Sequence, residues 1–489
     1  MSNDSQIADF FKNQTIFLTG ATGLIGKLLV EKLLRTCLDL KKIYILMRAK
    51  HGKNPQQRFD DFFDNPCFEN INRKDFISKV SFIGGDCKKP DLGLKPEDVD
   101  ILKNETTCVF HIAANVNFQQ TIKESSYNVK ATKEMITLAE KMEKLKIFVY
   151  VSTAYSNCLN SHIRDEIYQP PIKAQAFLDL VDSCNEDDLE NTLLAYLNKW
   201  PNNYVVSKCL SEDLIKSSAI GIPTAIIRPA IVTNTIKEPI PGYIDNYHGF
   251  IGLVVGGYMG VIQTLYVKKE VQMNLVPADI VCNCILAAAW HTANCKTLTV
   301  FNCVGKKISL EKSTNLMKSF YWEFPSVKYL WYQKTSITDS KFWYNVNTFR
   351  MLILAYCIDA IFLCLKKPIG ARKLCKQITK QLDSLSYFTS REWSFSEDNF
   401  MYLWNKMGDR DRAIFPFHVD RIDWNEYLHN CASGIRLYLL KEPITTLPQA
   451  KEKLKILFAL HYTTVALFYY FLYLLFEFLI KKIYDNYSV

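Results

Sequence analysis

The chain has 489 residues, too many for one small module and enough for two or three units with a large core. Hydrophobic residues make up 48% of it and charged residues 22%, which excludes a disordered or collagen-like chain. The formal charge of +9 names no partner until its location is known, and 15 cysteines without a C-x-x-C pair argue for reduced thiols in a cytosol-facing protein rather than a disulfide framework.

The opening MSNDSQIADFFKNQ carries acids where a secretory signal needs bases and has no apolar run, so no cleaved signal is expected. The first 230 residues or so then alternate short β-branched runs with helical patterns. Strands are expected at Thr15–Thr19, Lys42–Met47, Val80–Gly84, Cys108–Ile112, Ile147–Ser152 and Thr224–Arg228, with helices such as Leu24–Arg35 and Asn128–Lys144 between them. Continuous apolar strands alternating with helices predict an α/β fold: a doubly wound parallel sheet covered on both faces.

The first strand runs into Gly20-Ala21-Thr22-Gly23-Leu24-Ile25-Gly26, a G-x-x-G-x-x-G turn opening a helix. Glycines let the backbone turn tightly against a pyrophosphate, and the helix N-terminus stabilises the anion, so this is a Rossmann-type dinucleotide site. The second strand ends at Arg48 where an NAD-selective site usually places an acid. A guanidinium suits a 2′-phosphate, so NADPH is the expected cofactor, with Lys50 and Lys53 as assisting bases.

The fifth strand ends Ser152-Thr153-Ala154-Tyr155, where a hydroxyl can hydrogen-bond a substrate carbonyl or developing oxyanion. Thr153 is the first choice and Ser152 the alternative, with Tyr155 as pocket wall. Tyr204 and Lys208 form a Y-x-x-x-K pair, which on a helix shares one face. The nearby ammonium would lower the Tyr204 pKa so that the phenol exchanges a proton near neutrality. Between Thr153 and Tyr204 lies a polar, acidic insert, read either as a cover for the substrate site or as a solvated excursion.

Met351–Leu365 is an apolar stretch, short for a membrane span and interrupted by Asp359, and reads as a buried or interfacial helix. Lys366–Lys380 follows it with six bases and no acid, a composition that suits either an anionic membrane surface or a solvated face. Ile456–Ile480 is the strongest membrane candidate. As a helix it would measure about 37 Å, enough to cross a hydrocarbon layer of ~30 Å; the alternative is a hydrophobic helix packed on the enzyme.

The glycine turn, Tyr150–Asn157 (YVSTAYSN), the Tyr204–Lys208 pair and Ile227–Ile244 together resemble the extended short-chain dehydrogenase/reductase superfamily, and within it the alcohol-forming, insect-like fatty acyl-CoA reductases. Gly249–Gly260, Trp393–Phe395, Asn399, Asp409-Arg410, Ile422–Trp424 and Gly434–Glu442 (GIRLYLLKE) are similar to the same family, so the resemblance spans both halves of the chain. It differs from the family pattern at Ala21 and Leu24 and in the residues between Tyr204 and Lys208, changes that leave the functional atoms in place.

The resemblance implies a division into an NADP-binding reductase domain with a substrate lobe (1–345), a mainly helical C-terminal domain (346–448) and a membrane tail (449–489). It implies reduction of a long-chain acyl-CoA to a primary alcohol through a bound aldehyde, in two hydride transfers. Tyr204, Lys208 and Thr153 would be catalytic. Gly20, Thr22, Gly23, Leu24, Ile25, Gly26, Arg48, Asp86, Ala113, Val116 and Asn128, with Tyr204 and Lys208, would hold NADPH. No metal is expected, nor nucleic acid; partners would be acyl-CoA, membrane lipid and a second copy of the chain. The catalytic part would face the cytosol from the endoplasmic reticulum or peroxisomal membrane. The competing functions are a membrane-bound steroid or other lipid oxidoreductase of the same superfamily, and a non-catalytic NADP-binding scaffold.

Overall fold

The computed structural model of the chain describes residues 5–72, 76–268, 270–364, 366, 370–418 and 420–487. Leu365 and residues 367–369, which fall in the apolar and basic stretches singled out above, lie outside the described residues.

Seven parallel strands form the central sheet: β1 (Thr15–Thr19), β2 (Lys42–Met47), β3 (Val80–Gly84), β4 (Cys108–His111), β5 (Ile147–Val151), β6 (Thr224–Pro229) and β7 (Leu298–Cys303). Their order is β3-β2-β1-β4-β5-β6-β7. Helices cover both faces, so β1 and β5 are buried along their whole length, and this is why they read as unbroken apolar runs. The chain crosses from β3 back over β1 to reach β4, which opens a crevice at the carboxyl ends of β1 and β4, the switch point where such sheets bind ligands.

The expected strands all form. β4 and β5 stop one residue earlier than their apolar runs suggest, and β6 continues one further through Pro229. β7 was not foreseen: its first two residues are not buried at the sheet edge, so no continuous apolar run announces it. The helix expected at Asn128–Lys144 begins earlier, at Ile122, because Thr121 and Glu124 form a capping box there, and it ends at Ala139.

The insert between β5 and β6 forms helices Ala174–Ser183 and Glu186–Leu197. Phe177, Leu178, Leu189 and Leu193 bury themselves in the cluster that lies with helices Ile122–Ala139 and Asn203–Ser218 on one face of the sheet. The insert therefore does not cover the crevice. Its apolar side is spent on core packing, and no residue between Tyr155 and Tyr204 lines the cleft.

Beyond the sheet, a small sheet of Ile231–Thr233, Gln272–Pro277 and Lys306–Ser309, with helix Gly249–Tyr258, forms the second lobe. Lys341–Cys364 is one helix of 24 residues, longer than its apolar stretch alone implied. Helix Ala371–Thr389 follows it as a hairpin. Asp359 joins the two: its carboxylate accepts from the backbone N–H groups of Gly370, Ala371 and Arg372 and from the Arg372 side chain at 2.8–3.1 Å. The acid that interrupts the apolar stretch is thus the cap of the next helix.

The chain ends in helix Leu447–Tyr487. Its base packs on the protein through Ala450, Leu454, Leu457 and His461, and Trp331 Nε1 donates to His461 Nδ1 at 3.0 Å. Past His461 no described residue is buried. Ile444–Lys481, which contains an 18-residue window of mean hydropathy 1.8, is the one described segment long and apolar enough to cross a membrane. Beyond His461 the helix therefore does not pack along the enzyme.

Candidate active site at the carboxyl edge of the sheet

The crevice at the switch point deepens into a cleft of ≈ 870 Å³. The expected catalytic and cofactor-binding residues line it: the Gly20, Thr22–Gly26 turn, Arg48, Asp86, Ala113, Val116, Asn128, Thr153, Tyr204 and Lys208.

The turn after β1 is shaped for a close backbone approach. Gly20 sits at φ +79°, and a Cβ there would lie 2.6 Å from Ala113 N; a Cβ on Gly26 would lie 2.2 Å from Gly20 O. Any side chain at these positions would displace the turn. Gly23 is the N-cap of helix Leu24–Thr36 and provides no capping side chain, so the first N–H groups of that helix remain available to an anion. Thr19 Oγ1 bonds His111 Nδ1 at 2.8 Å and accepts from Ala113 N at 3.3 Å, which ties the ends of β1 and β4 together. Burial, with the Lys208 charge, holds His111 down to about 3, so this strut is neutral at physiological pH.

At the end of β2, Arg48 reaches Asp86 at 3.7 Å, and Arg58 donates to the Arg48 carbonyl at 2.6 Å. Arg58, Lys50 and Lys88 share the cleft wall. Arg58 comes from the following short helix, and nothing in its sequence spacing marks it. Lys53 does not take part: its ammonium pairs with Asp61 at 2.6 Å, away from the cleft.

Asn128 holds the loop after β4. Its side-chain oxygen accepts from Asn115 N at 2.7 Å while its amide donates to Asn115 O and to Ser207 Oγ, joining that loop to the helix that carries Tyr204. Phe118 stacks on the Tyr204 ring, centroids 5.6 Å apart. Thr153 Oγ1 accepts from Tyr155 N at 3.3 Å, which leaves its own proton free to donate into the cleft. Ser152, the alternative, is committed elsewhere: its hydroxyl donates to the buried carboxylate of Glu212.

Lys208 Nζ donates to Val151 O at 2.6 Å and lies 4.6 Å from the centre of the Tyr150 ring. Burial lowers its pKa to about 7, against the opposing pull of Glu212. Tyr204 is pushed well above the ordinary phenol range by burial alone. The expected lowering of the Tyr204 pKa by Lys208 does not arise in this arrangement, because burial raises the phenol and the Lys208 ammonium points at a backbone carbonyl.

The roof of the cleft comes from the C-terminal half. Leu385, Phe388 and Thr389, at the end of the hairpin, line it. Phe388 packs edge-on against Tyr155 at 5.4 Å and lies 5.8 Å from Phe118. Tyr155 is pocket wall, as expected, but its partners Phe388, Trp393 and Phe395 lie more than two hundred residues away in the chain. Among the described residues no cluster of His, Cys, Asp and Glu has the makings of a metal site, and all 15 cysteines are free thiols.

Two family models, both described as male sterility protein, match the chain, an NAD-binding one over residues 18–285 and a second over residues 350–442. Solved structures that resemble it include the terminal R domain from the myxalamid PKS-NRPS biosynthetic pathway (TM-score 0.61, 20% identity, covering 87% of this chain and 91% of that one). Another is the reductase domain of a Mycobacterium tuberculosis nonribosomal peptide synthetase (TM-score 0.61, 19% identity, covering 90% and 97%). Fold and cleft together define a Rossmann-type oxidoreductase that takes a nicotinamide cofactor. Among curated proteins, the chain is 32% identical to fatty acyl-CoA reductase wat of Drosophila melanogaster over 96% of its own length and 92% of that protein's. It is likewise 32% identical to fatty acyl-CoA reductase 1 of Rattus norvegicus, covering 92% and 89%, and to fatty acyl-CoA reductase 2 of Homo sapiens, covering 94% and 91%. The chain belongs to the fatty acyl-CoA reductase family.

Proposed function

We propose that the protein reduces long-chain fatty acyl-CoA to the primary alcohol with NADPH, through an aldehyde that stays in the cleft. The observation that carries this reading is the meeting of Thr153, Tyr204 and Lys208 in one cleft with the uncapped N-terminus of helix Leu24–Thr36, under an apolar roof. The cradle fits a dinucleotide because Gly20 and Gly26 leave room that any Cβ would fill. The turn Gly20–Gly26 with Asp86, Ala113, Val116 and Asn128 would hold it, and Arg48, Arg58 and Lys50 offer positive charge to a 2′-phosphate. When bound, the nicotinamide supplies the hydride for each of the two reductions.

The chain's own residues supply the rest. Thr153 donates a hydrogen bond to the thioester oxygen and orients it. Tyr204 gives that oxygen its proton; a phenol held protonated by burial suits the reductive direction. Lys208, when charged, stabilises the tyrosinate that remains, and after CoA thiol departs the same groups act on the aldehyde. The roof of Leu385 and Phe388 excludes water and accepts an acyl chain. The division into 1–345, 346–448 and 449–489 follows this assignment, with the exposed tail in a membrane and the catalytic part on its cytosolic side.

The test is product analysis: membranes bearing the protein, given NADPH and a panel of acyl-CoA lengths, are expected to form alcohol. Folded protein that binds NADPH yet forms no alcohol from any member would overturn the reading.

Two narrower results are expected. Arg48→Ala and Arg58→Ala should each raise KM for NADPH about 10–100-fold, the worth of a charge-assisted hydrogen bond, and leave KM for NADH nearly unchanged. An equal effect on both cofactors would remove these residues from the 2′-phosphate site. The pH profile should report Lys208. Its folded pKa is about 7, so the ammonium is mostly present at pH 6 and is reduced to about one-tenth at pH 8. If the charged form is the working one, kcat/KM falls along the alkaline limb, and Lys208→Arg, which keeps its charge, should move that limb upward. An unmoved limb in the arginine variant would assign it to another group.

A further inference from the structure

We propose that the hairpin of helices Lys341–Cys364 and Ala371–Thr389 is a second membrane-contact surface, resting on anionic lipid beside the C-terminal helix and bringing the cleft mouth to the bilayer. The inference deepens the proposed function, since it rests on an apolar acyl substrate.

Three observations converge. On the first helix Phe342, Phe349, Ile353, Tyr356 and Leu363 are all exposed. Their spacing in steps of three, four and seven places them on one face, so an apolar and aromatic stripe is left exposed, with the Arg372 guanidinium over the Tyr356 ring at 5.0 Å. Such a stripe is what an interfacial helix buries in the headgroup region. On the second helix Ile378, Leu382, Leu385 and Phe388 pack against the reductase core. Lys373, Lys376 and Lys380 occupy the opposite side and are exposed, a positive face that complements anionic headgroups. The hairpin also adjoins the departing C-terminal helix: Arg350 lies within electrostatic reach of Tyr469, which is on the exposed apolar part of that helix. A membrane holding the tail therefore has the hairpin next to it. The hairpin's last turn is the cleft roof, so contact there places a lipid-dissolved chain at the site without passage through water.

Native thiols provide the test. Cys357 and Cys364 are exposed on the first helix, and Cys295 is exposed at the end of helix Ala278–Cys295. The full chain would be reconstituted in phosphatidylcholine vesicles with and without phosphatidylserine and treated with a membrane-impermeant maleimide, each site being read by mass spectrometry. In the phosphatidylserine vesicles Cys357 and Cys364 are expected to react about tenfold or more slowly than Cys295. The lysines supply the attraction to the anionic surface, so the triple variant K373E/K376E/K380E should regain at least about tenfold in rate at both sites. Unaltered Cys295 labelling and NADPH binding would show that variant folded. Equal labelling of all three cysteines in anionic vesicles overturns the proposal. So does protection that ignores lipid charge and grows with protein-to-lipid ratio, which would mean a second copy covers the stripe. Because labelling needs no turnover, the acyl-CoA reading can fail without this result failing, and the reverse.

Discussion

Tyr204→Phe is expected to lower kcat/KM for acyl-CoA reduction by about 10²–10⁴-fold, the usual contribution of a positioned proton donor. The substitution removes one oxygen and little else. The ring stays stacked on Phe118 at 5.6 Å, and the helix that carries it is held by Asn202, which caps it, and by the Asn128–Ser207 bond, so neither support depends on the phenol. NADPH affinity should accordingly change little, and thermal stability should be near that of the parent. Thr153→Ala should give a smaller loss, because the tyrosine still delivers the proton, and Thr153→Ser should restore most of it. The measurement is steady-state kinetics beside calorimetric NADPH binding. A Tyr204→Phe enzyme with parental kcat/KM would transfer the proton-donor role to another group, and equal losses in binding and turnover would make Tyr204 a cofactor-positioning residue.

The second large effect concerns stability. Arg228 and Glu212 form a two-pronged ion pair at 2.6 and 2.9 Å, and both are essentially without solvent exposure. Glu212 also takes the hydroxyl protons of Ser152 and Ser156, and Arg228 donates to the carbonyls of Arg164 and Glu166. One buried pair thus joins the end of β5, the Tyr204 helix, β6 and the start of the insert. Arg228→Met should cost about 3–5 kcal/mol, because it leaves a buried carboxylate without its counter-charge and two carbonyls without donors. Adding Glu212→Leu to that variant should recover part of the loss, since a pair replaced by apolar groups is far less costly than a pair broken. Denaturant unfolding of the soluble portion of the signal, followed by tryptophan fluorescence, measures both. A loss under about 1 kcal/mol for Arg228→Met would show that water or relaxation satisfies the carboxylate. The single variant should also lose activity, because Ser152 precedes Thr153.

Much of the site was legible because its parts are local. The Gly20–Gly26 turn is contiguous, and Tyr204 and Lys208 are one helical turn apart. Arg48 and Thr153 lie at strand ends, where the termination of an apolar run marks the carboxyl edge of the sheet. These short-range rules also located six of the seven strands. What escaped has no local signal. Arg58 reaches the cleft only because a short helix after β2 folds back along Arg48. Glu212 and Arg228 carry no pairing signal in the sequence and become a buried pair only when the helix and β6 meet. The Tyr204 pKa has no local signal either: i, i+4 spacing brings an ammonium near a phenol but carries no information on burial, which raises Tyr204 and lowers Lys208.

The sequence by itself determined the α/β class, the dinucleotide turn, the catalytic trio as candidates and the apolar tail, since each is written in a contiguous pattern of hydrophobicity, glycine or helical spacing. Only the tertiary structure decided what covers the cleft. The insert between Thr153 and Tyr204 had the right position to do so, yet its apolar face is consumed by the core, while Phe388 arrives from the far half of the chain. A helical pattern states which side of a segment avoids water; the surface that side meets is a long-range packing outcome, and the roof of this cleft is one.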